Sequence, residues 1–235
     1  MPGWARSASS TTRSRRRADE QRHGVRPVKR YGHAGPIYDA LPLEAVLYRR
    51  PRHRLSQPFG TMPGATIVDV GCGTGLNLPW LVRAVSPGGR VIGIDDSPSM
   101  LTAAERRCRH HNLLGVTIRH GDATHLHELL RHSEIVPDGI VATFVLSLLT
   151  DDTGFWTALD EIATSRPLRV AIADLGTPDT APRVLRPALR LLTRVGGSEP
   201  AQRPWDRLVL HASDALHESH IGGHVHLAIG TYLPA

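Results

Sequence analysis

The stretch "VDVGCGTGLN", residues 68–77, follows a run of β-branched residues and contains three glycines, Gly71, Gly73 and Gly75. Because glycine tolerates positive φ and lets the backbone pass close to a ligand, the pattern predicts a strand, a tight loop and a helix. The loop lacks the Gly-Lys-Ser/Thr ending of a Walker A phosphate-binding motif. Leu76 stands where a dinucleotide-binding loop has its third glycine, so the spacing is G-x-G-x-G.

Short runs rich in β-branched residues alternate with longer helical stretches from residue 31 onward. Alternation at this spacing predicts parallel strands joined by crossover helices. Near the C-terminus, "ALHESHIGGHVHLAIGT", residues 215–231, predicts two further strands joined by a two-residue turn at Gly222-Gly223. We therefore expect an α/β fold, a Rossmann-like doubly wound sheet of seven strands, five parallel plus a C-terminal antiparallel hairpin. The predicted strands are Thr66–Val70, Arg90–Ile94, Val116–His120, Gly139–Phe144 and Leu168–Ala173, and the predicted helices include Leu78–Val85, Pro98–His111 (with Ser97 as N-cap and Pro98 at its first position) and Gly154–Ser165.

The positive charge of the chain is concentrated at its N-terminus. Residues 1–30 hold nine Lys/Arg and two Asp/Glu, which leaves 19 basic and 20 acidic residues in the rest of the chain. We expect residues 1–30 to form a disordered basic tail and residues 31–235 to form one folded domain. The nearly neutral domain argues against a nucleic-acid partner. Two distant cysteines, Cys72 and Cys108, give no disulfide framework, and no apolar run is long enough for a membrane span, so a cytoplasmic location is expected.

Acidic residues follow the second and third predicted strands. Asp95 lies in "VIGIDDSPSML" and Asp122 in "HGDATHL". Because the carboxyl ends of parallel strands meet at one edge of the sheet, both side chains are expected beside the glycine loop. A carboxylate at Asp95 can accept hydrogen bonds from ribose hydroxyls, and one at Asp122 can accept from an adenine amino group. Taken singly, each glycine also fits a plain strand-to-helix turn and each aspartate a helix cap.

In this order and spacing, "VDVGCGTG", "VIGIDDSPSML" and "GDATHL" resemble the first motifs of class I S-adenosylmethionine-dependent methyltransferases, whose fold also ends in an antiparallel hairpin. The resemblance covers residues 31–235 and implies S-adenosyl-L-methionine as the cofactor. It implies that Asp69 braces the loop, that the glycines pass under the methionyl part of the cofactor, and that Phe144 faces the methyl donor. Asp96 departs from the pattern, which more often has an apolar residue there. The implied cofactor-binding residues are Asp69, Gly71, Cys72, Gly73, Gly75, Asn77, Asp95, Asp96, Met100, Asp122, Ala123 and Phe144.

Two other segments indicate the class of the methyl acceptor. The fourth strand, "GIVATFVLSLLTDD", lacks the Asn/Asp-Pro-Pro-Tyr/Phe signature of methyltransferases that act on nucleic-acid bases. Residues 31–54 resemble the tyrosine-bearing segment of menaquinone/ubiquinone-type and phosphatidylethanolamine-type methyltransferases, which implies a small-molecule or lipid-like acceptor. Tyr31 and Tyr38 are then candidates for substrate contacts. His125 is another, and either His125 or the nearby His127 could accept a proton. The alternative for the two tyrosines is aromatic packing, and the alternative for the two histidines is a place in a surface loop. For the whole chain, the alternatives are a catalytically silent binding domain and a nucleic-acid methyltransferase.

The segment "APRVLRPALRLLTRVGG", residues 181–197, predicts an amphipathic helix. Its apolar residues are expected opposite a basic stripe, and two interpretations stand: a solvated surface helix, or peripheral contact with an anionic membrane. The stripe is Arg183, Arg186, Arg190 and Arg194, the opposite face is Val184, Leu185, Ala188, Leu189, Leu192 and Val195, and Arg49, Arg50 and Arg52 are possible additions to the basic surface. The histidines around the hairpin lack the partners of a metal site, so no metal is expected at His217, His220, His224 and His226.

Overall fold

A computed structural model describes residues 47–133, 135–195, 198 and 202–234. The expected basic tail, Tyr31 and Tyr38 lie outside the described residues. The strands are β1 (Thr66–Val70), β2 (Arg90–Asp95), β3 (Val116–His120), β4 (Gly139–Thr143), β5 (Leu168–Leu175), β6 (Leu216–His220) and β7 (Val225–Tyr232). The helices are α1 (Arg49–Ser56), α2 (Leu78–Val85), α3 (Pro98–His110), α4 (Leu126–His132), α5 (Thr153–Ser165), α6 (Arg186–Val195) and α7 (Pro204–Leu210).

In the described part of the chain, these strands form one sheet of seven strands in the order β3-β2-β1-β4-β5-β7-β6. Strands β1 to β5 are parallel, whereas β7 runs antiparallel to both β5 and β6. The expected doubly wound sheet with a C-terminal antiparallel pair is therefore confirmed. The strand order reverses between β1 and β4, and the carboxyl edge at such a reversal is where open α/β sheets bind ligands.

Apolar side chains cover both faces of the sheet, as parallel strands require. On one face, Val68 and Ile140 pack with Trp156 of α5 in a fully buried cluster. On the other face, Ile67 and Val141 pack with side chains of α1, α2 and α3. All five residues of β1 are buried, so the loop that follows β1 leaves the centre of the core.

The hairpin differs from its sequence prediction. The connection between β6 and β7 spans residues 221–224 and contains a single 3-10 turn at Ile221–Gly223, so a two-residue turn is wrong. Gly222 and Gly223 both have positive φ, and a Cβ on Gly222 would lie 2.3 Å from the Cα of Ala181. Both glycines are therefore needed for close packing against the segment after β5 as well as for the turn itself.

The remaining differences concern the ends of elements. Ser97 occupies the N-cap position of α3 in an extended conformation, but its hydroxyl meets Ser99 and caps no backbone amide. Helix α6 begins at Arg186, so Arg183 precedes it and the expected four-residue helical stripe is interrupted. Among the described residues, no helix is both long and apolar enough to cross a bilayer.

Candidate functional site

The loop after β1 depends on glycine at three positions for different reasons. Gly71, Gly73 and Gly75 all have positive φ, at 63°, 55° and 81°. A Cβ on Gly71 would lie 2.4 Å from a methyl carbon of Val145, and one on Gly75 would lie 2.8 Å from Cδ1 of Leu78. A Cβ on Gly73 would meet nothing within 4 Å, so this glycine borders open space. The loop thus packs tightly at both ends and presents its middle as a cradle for a ligand.

Asp95, the last residue of β2, holds the glycine loop against the start of α3. Its Oδ2 accepts a hydrogen bond from the amide of Gly73 at 2.8 Å, and its Oδ1 accepts from the amide of Ser97 at 2.9 Å. Burial raises the pKa of Asp95, and these two amides oppose the rise. Because each carboxylate oxygen has a second lone pair, Asp95 retains the capacity to accept from two adjacent hydroxyls.

The residues expected around an adenine lie next along the same edge. Asp122 follows β3, is exposed, and accepts a hydrogen bond from the amide of Thr124 at 2.8 Å. Ala123 is buried beneath it, and Met100 of α3 is half-buried. Asp96 is exposed and offers only its backbone carbonyl to the ring of His120, at 3.0 Å. The neighbouring strand ends therefore bring Asp95, Asp122, Ala123 and Met100 to one edge, while the Asp96 side chain points to solvent.

Asp69 is the centre of a buried polar network below the loop. It is fully buried, and Nδ2 of Asn77 donates to its Oδ1 at 2.9 Å and also lies 3.0 Å from the hydroxyl of Thr143. Arg52 of α1 donates to Oδ1 of Asn77 at 3.1 Å. Burial raises the pKa of Asp69 to about 7, and the Asn77 bond and the Arg52 charge oppose the rise. The network ties α1 to the glycine loop and to the end of β4.

Phe144 stands in a strained position immediately after β4. Its φ is 57°, in the left-handed region that non-glycine residues rarely adopt, and its amide donates to the carbonyl of Ala173 at 2.7 Å. Such outliers cost about 1–3 kcal/mol and persist where the surrounding structure enforces them, often at functional sites. The Arg52 guanidinium lies 5.1 Å from the centre of its ring, and the Tyr48 ring lies 5.0 Å away.

Tyr48 and His224 meet beside Phe144 although 176 residues separate them in the sequence. The Tyr48 hydroxyl lies 2.9 Å from Nε2 of His224. Nδ1 of His224 lies 3.5 Å from the hydroxyl of Thr193 in α6, which itself donates to the carbonyl of Leu189. The His224 ring therefore links Tyr48, before β1, to Thr193 of α6. Burial lowers the pKa of His224 to about 4, so its ring is neutral at pH 7.

Asp174, near the end of β5, supports the segment after Phe144. It is fully buried and accepts hydrogen bonds from the hydroxyl and the amide of Ser147 and from the amide of Leu175. Burial raises its pKa to about 6, against the effect of these donors. Asp174 therefore fixes the turn that carries Val145, the residue that packs on Gly71.

Several of the sequence-predicted residues have other surroundings than expected. Cys72 is buried against Gly93, where a Cβ would lie 3.0 Å from its Sγ, and burial raises its pKa. His125 is exposed and contacts Thr124 and Asp122 at the edge of the sheet. His127 contacts α5, with its Nδ1 2.6 Å from Oε2 of Glu161.

The structure also corrects the assignment of Arg52 to a basic surface, because its guanidinium contacts Asn77 and the Phe144 ring within the site. The described residues contain no group of three or more metal-binding side chains. Functional candidates that the sequence did not identify are Tyr48, Thr143, Asp174 and, as a site residue, His224.

Comparisons with known proteins agree with this geometry. Residues 67–165 match a family model described as a methyltransferase domain. A solved structure described as a SAM-dependent methyltransferase from Aquifex aeolicus superposes with a TM-score of 0.55 at 19% identity, over 85% of this chain and 98% of that one. The matched segment is a methyltransferase domain, and the chain has the fold of S-adenosylmethionine-dependent methyltransferases. S-adenosyl-L-methionine is accordingly the cofactor that the site is built to hold.

Curated relatives match parts of this chain. A nocamycin O-methyltransferase of Saccharothrix syringae is 37% identical over 37% of this chain and 30% of its own length. A demethylmenaquinone methyltransferase of Alkalihalophilus pseudofirmus is 39% identical over 27% of each chain. An uncharacterized 37.1 kDa transposon protein of Streptomyces fradiae is 34% identical over 65% of this chain and 34% of its own. The chain thus spans about a third or less of these relatives.

The residues at the carboxyl edge fit an S-adenosylmethionine molecule. Gly73 leaves an open cradle at the centre of the loop, Asp95 offers carboxylate oxygens where a ribose would lie, and Asp69 places a buried carboxyl beneath the loop. The rings of Phe144 and Tyr48 provide aromatic faces beside them, which attract cations such as a sulfonium.

Proposed function

We propose that this protein transfers a methyl group from S-adenosylmethionine to a small-molecule or lipid-like acceptor. The observation that carries the proposal is the cradle at Gly73, which is held by Asp95 from one side and opens where the added Cβ would meet no atom. The cofactor supplies an activated methyl on a sulfonium. The chain's own residues have to hold the donor, orient the acceptor in line with it, and exclude water.

The proposed cofactor contacts follow the order of the strands. Gly71, Gly73 and Gly75 pass under the methionyl part, and Asp69 braces the loop through Asn77. The remaining residues proposed for the cofactor are Cys72, Asp95 for the ribose, Met100, Asp122 and Ala123 for the adenine, and Phe144 near the methyl. Asp96 keeps at most a backbone role here, because its side chain is exposed.

Small molecules are the acceptors most consistent with the chain. The described side chains next to Phe144 are those of Tyr48 and Arg52, an aromatic ring and a guanidinium that suit a small organic molecule. The names of two relatives, a nocamycin O-methyltransferase and a demethylmenaquinone methyltransferase, point to organic acceptors for those proteins. Tyr31, Tyr38 and His125 stay candidates for acceptor contacts.

Calorimetry with S-adenosylmethionine and S-adenosylhomocysteine tests the cofactor site directly. Wild-type protein is expected to bind both, and Asp95→Ala should weaken binding by tens-fold, because one or two charge-assisted hydrogen bonds are lost, each about 1.5–3 kcal/mol. Asp96→Ala is the matched control, since Asp96 is adjacent and exposed, and it should bind like wild type. Equal affinities for wild type and Asp95→Ala would remove Asp95 from the ribose site. A methyl-labelled cofactor offered with quinols, phenols, amines and ethanolamine lipids then identifies the acceptor.

Peripheral membrane contact through α6 and the turn before it is a second part of the proposal. Arg183, Arg190 and Arg194 are exposed, and so are the apolar side chains of Val184 and Leu191, at 84% and 61%. Exposed apolar residues among arginines are typical of a helix that lies at an anionic lipid surface. Arg186 is excluded from this surface, because it is half-buried and donates to the carbonyl of Ala181.

Sedimentation with vesicles of phosphatidylglycerol and phosphatidylcholine tests this contact. Changing Arg183, Arg190 and Arg194 to Gln should reduce pelleting, whereas the same change at Arg106, Arg109 and Arg131, which are also exposed, should not. Both triple variants lose the same charge, so the comparison separates a local contact from a general effect of charge. Equal pelleting of the two variants would refute α6 as the contact.

A further inference from the structure

Gly154, the second residue of α5, lies very close to the turn that follows β3. A Cβ added at Gly154 would overlap the carbonyl oxygen of Thr124 and would lie 2.6 Å from the carbonyl carbon. The φ of Gly154 is not positive, so the backbone conformation does not require glycine at this position. Alanine stabilises a helix more than glycine does, so the reason for glycine here is the close approach to Thr124.

The turn that Gly154 meets holds one of the residues proposed for the adenine. It is a single 3-10 turn at Ala123–His125, and Asp122 is its N-cap. The amide of Thr124 donates to Oδ1 of Asp122 at 2.8 Å, and the amide of His125 donates to the carbonyl of Asp122 at 3.0 Å. The Asp122 carboxylate is therefore held by the same residue that meets Gly154, so a displacement of Thr124 also moves the carboxylate.

The first turn of α5 is anchored in the core, whereas the turn after β3 reaches the surface. Phe155 and Trp156 are fully buried, and the indole nitrogen of Trp156 donates to Asp152, the N-cap of α5, at 2.7 Å. The Arg207 guanidinium of α7 lies 4.6 Å from the centre of the Trp156 ring. Asp122, in contrast, is exposed. If Gly154 gained a side chain, the exposed turn and not the buried helix would give way.

The position of the Asp122 carboxylate decides which purine the edge can recognise. Its Oδ1 accepts from Thr124, and its Oδ2 lies 3.9 Å from Nδ1 of His125. An ionised carboxylate accepts hydrogen bonds and donates none, so it favours a purine with an amino group at position 6 over one with a carbonyl oxygen there. Such recognition requires the carboxylate to be held within about 0.5 Å of its place.

We propose that Gly154 positions Asp122 and thereby makes the cofactor site selective for the 6-amino group of adenine over a 6-oxopurine. Asp122 contacts the purine, whereas Gly154 acts only through Thr124 and is a positioning residue. The inference rests on the cofactor site proposed above and deepens it, because it assigns the purine selectivity of that site to a residue of α5.

Two ligands that differ at one position of the purine test the selectivity. Calorimetry compares S-adenosylhomocysteine with S-inosylhomocysteine, in which a carbonyl oxygen replaces the 6-amino group. Wild type is expected to bind the adenosyl compound at least about tenfold more tightly, because the inosyl compound loses a hydrogen bond to a charged group. In Gly154→Ala this selectivity ratio should fall to about threefold or less, since the adenosyl compound binds more weakly while the affinity for the inosyl compound changes little.

Gly89→Ala is the matched control. A Cβ on Gly89 would likewise overlap a backbone carbonyl oxygen, that of Val85, and the φ of Gly89 is not positive either. Gly89 directly precedes β2, at the amino ends of the parallel strands, so its substitution should lower stability in urea but leave the selectivity ratio as in wild type. Equal weakening of both ligands in Gly154→Ala would indicate a purely structural effect and would overturn the proposal.

A double-mutant cycle tests whether Gly154 acts through Asp122. Asp122→Ala should also lower the selectivity ratio to about threefold or less, because the acceptor for the amino group is gone. Adding Gly154→Ala to Asp122→Ala should then change the ratio no further, since the group that it displaces is absent. A second fall of the same size as in Gly154→Ala alone would show that the two residues act independently, against the proposal.

Nuclear magnetic resonance of wild-type protein keeps the inference testable if Gly154→Ala does not fold. The signals of Thr124 and Gly154 should differ between the complexes with the two ligands, whereas those of Gly89 should not. Identical signals of Thr124 and Gly154 in the two complexes would contradict the contact.

The outcomes separate this inference from the proposed function. Lack of binding of both ligands by wild type would reject the cofactor site and the inference with it. Binding of both ligands without preference for the adenosyl compound would leave the cofactor site standing and overturn the inference alone. An unchanged selectivity ratio in Gly154→Ala or in Asp122→Ala would do the same.

Discussion

Substitution of alanine at Gly71 and at Gly73 should separate the two functions of the glycine loop, stability and ligand binding. Both residues have positive φ, so each alanine costs about 1–2 kcal/mol of backbone strain. At Gly71 the new Cβ also meets Val145 at 2.4 Å, and such overpacking costs about a further 1–3 kcal/mol. At Gly73 it meets nothing within 4 Å. Gly71→Ala should therefore lose about 2–5 kcal/mol of stability and Gly73→Ala only about 1–2 kcal/mol.

Gly73→Ala should weaken cofactor binding more than Gly71→Ala does, relative to the stability that each variant loses. The Cβ added at Gly73 projects into the cradle, where it should weaken binding of S-adenosylhomocysteine by tenfold or more, about 1.4 kcal/mol or above. Urea unfolding gives the stability of each variant, and calorimetry gives the affinity. Adding Val145→Ala to Gly71→Ala should recover the packing part of its loss but none of the strain. If Gly73→Ala binds as tightly as wild type, the cofactor does not lie over Gly73 and the cradle has been misplaced.

Three further predictions concern the buried titratable groups. Asp174→Asn should lower the free energy of unfolding by about 2–3 kcal/mol in urea titrations, because an amide cannot accept from all the donors that face this carboxyl. The pKa of His224 is about 4 in the folded protein and 6.5 ordinarily, so as the pH falls the unfolded chain takes up this proton at a higher pH than the folded protein does. Stability should therefore fall by about 2 kcal/mol from pH 7 to pH 5 relative to His224→Gln, and an equal response of the two proteins in urea would contradict the burial argument. At pH 7, Asp69, with a pKa of about 7, should release about half a proton when the positively charged S-adenosylmethionine binds. Calorimetry in buffers of different ionisation enthalpy measures this release, and Asp69→Asn should abolish it.

Local sequence patterns were sufficient to predict the sheet and to place the candidate cofactor residues of β1, β2 and β3 at one edge. The β-branched run before Gly71 and the alternation that follows it predict β1 and β3 with the bounds that the structure has. Asp95 and Asp122 reach the same edge because parallel strands place their carboxyl ends together. These inferences needed only the period of the pattern and the direction of the strands.

The other half of the site depends on contacts between distant segments, which a single sequence does not reveal. Tyr48 belongs to a segment whose tyrosines were expected to matter, yet its partner is 176 residues away. In the sequence, nothing distinguishes Arg52 from the neighbouring arginines. Only the packing of α1 on the sheet turns its side chain towards Asn77. His224 was weighed as a metal ligand because histidines surround it, while its burial follows from the pairing of β7 with β5.

Asp174 is different, since a signal for it was present. "TIVDVG" at β1 and "VAIADLG" at β5 both place an aspartate one residue before the end of an apolar strand that leads into glycine. Each aspartate is fully buried, and burial raises the pKa of both, to about 7 for Asp69 and about 6 for Asp174. A carboxyl is retained at such a position only where donors meet it, because an unpaired buried polar group is costly.

These two aspartates lie on either side of the point where the strand order reverses. Asp69 holds Asn77 and so the start of α2, while Asp174 holds the turn that presses Val145 onto Gly71. The glycine loop is thus fixed from β1 and from β5 through groups that never need to touch a ligand. A loop whose shape is set in this way can bind without reorganising, which lowers the entropic cost of binding. Phe144 lies between these two aspartates, and the rigidity that they provide allows the fold to tolerate its strained backbone.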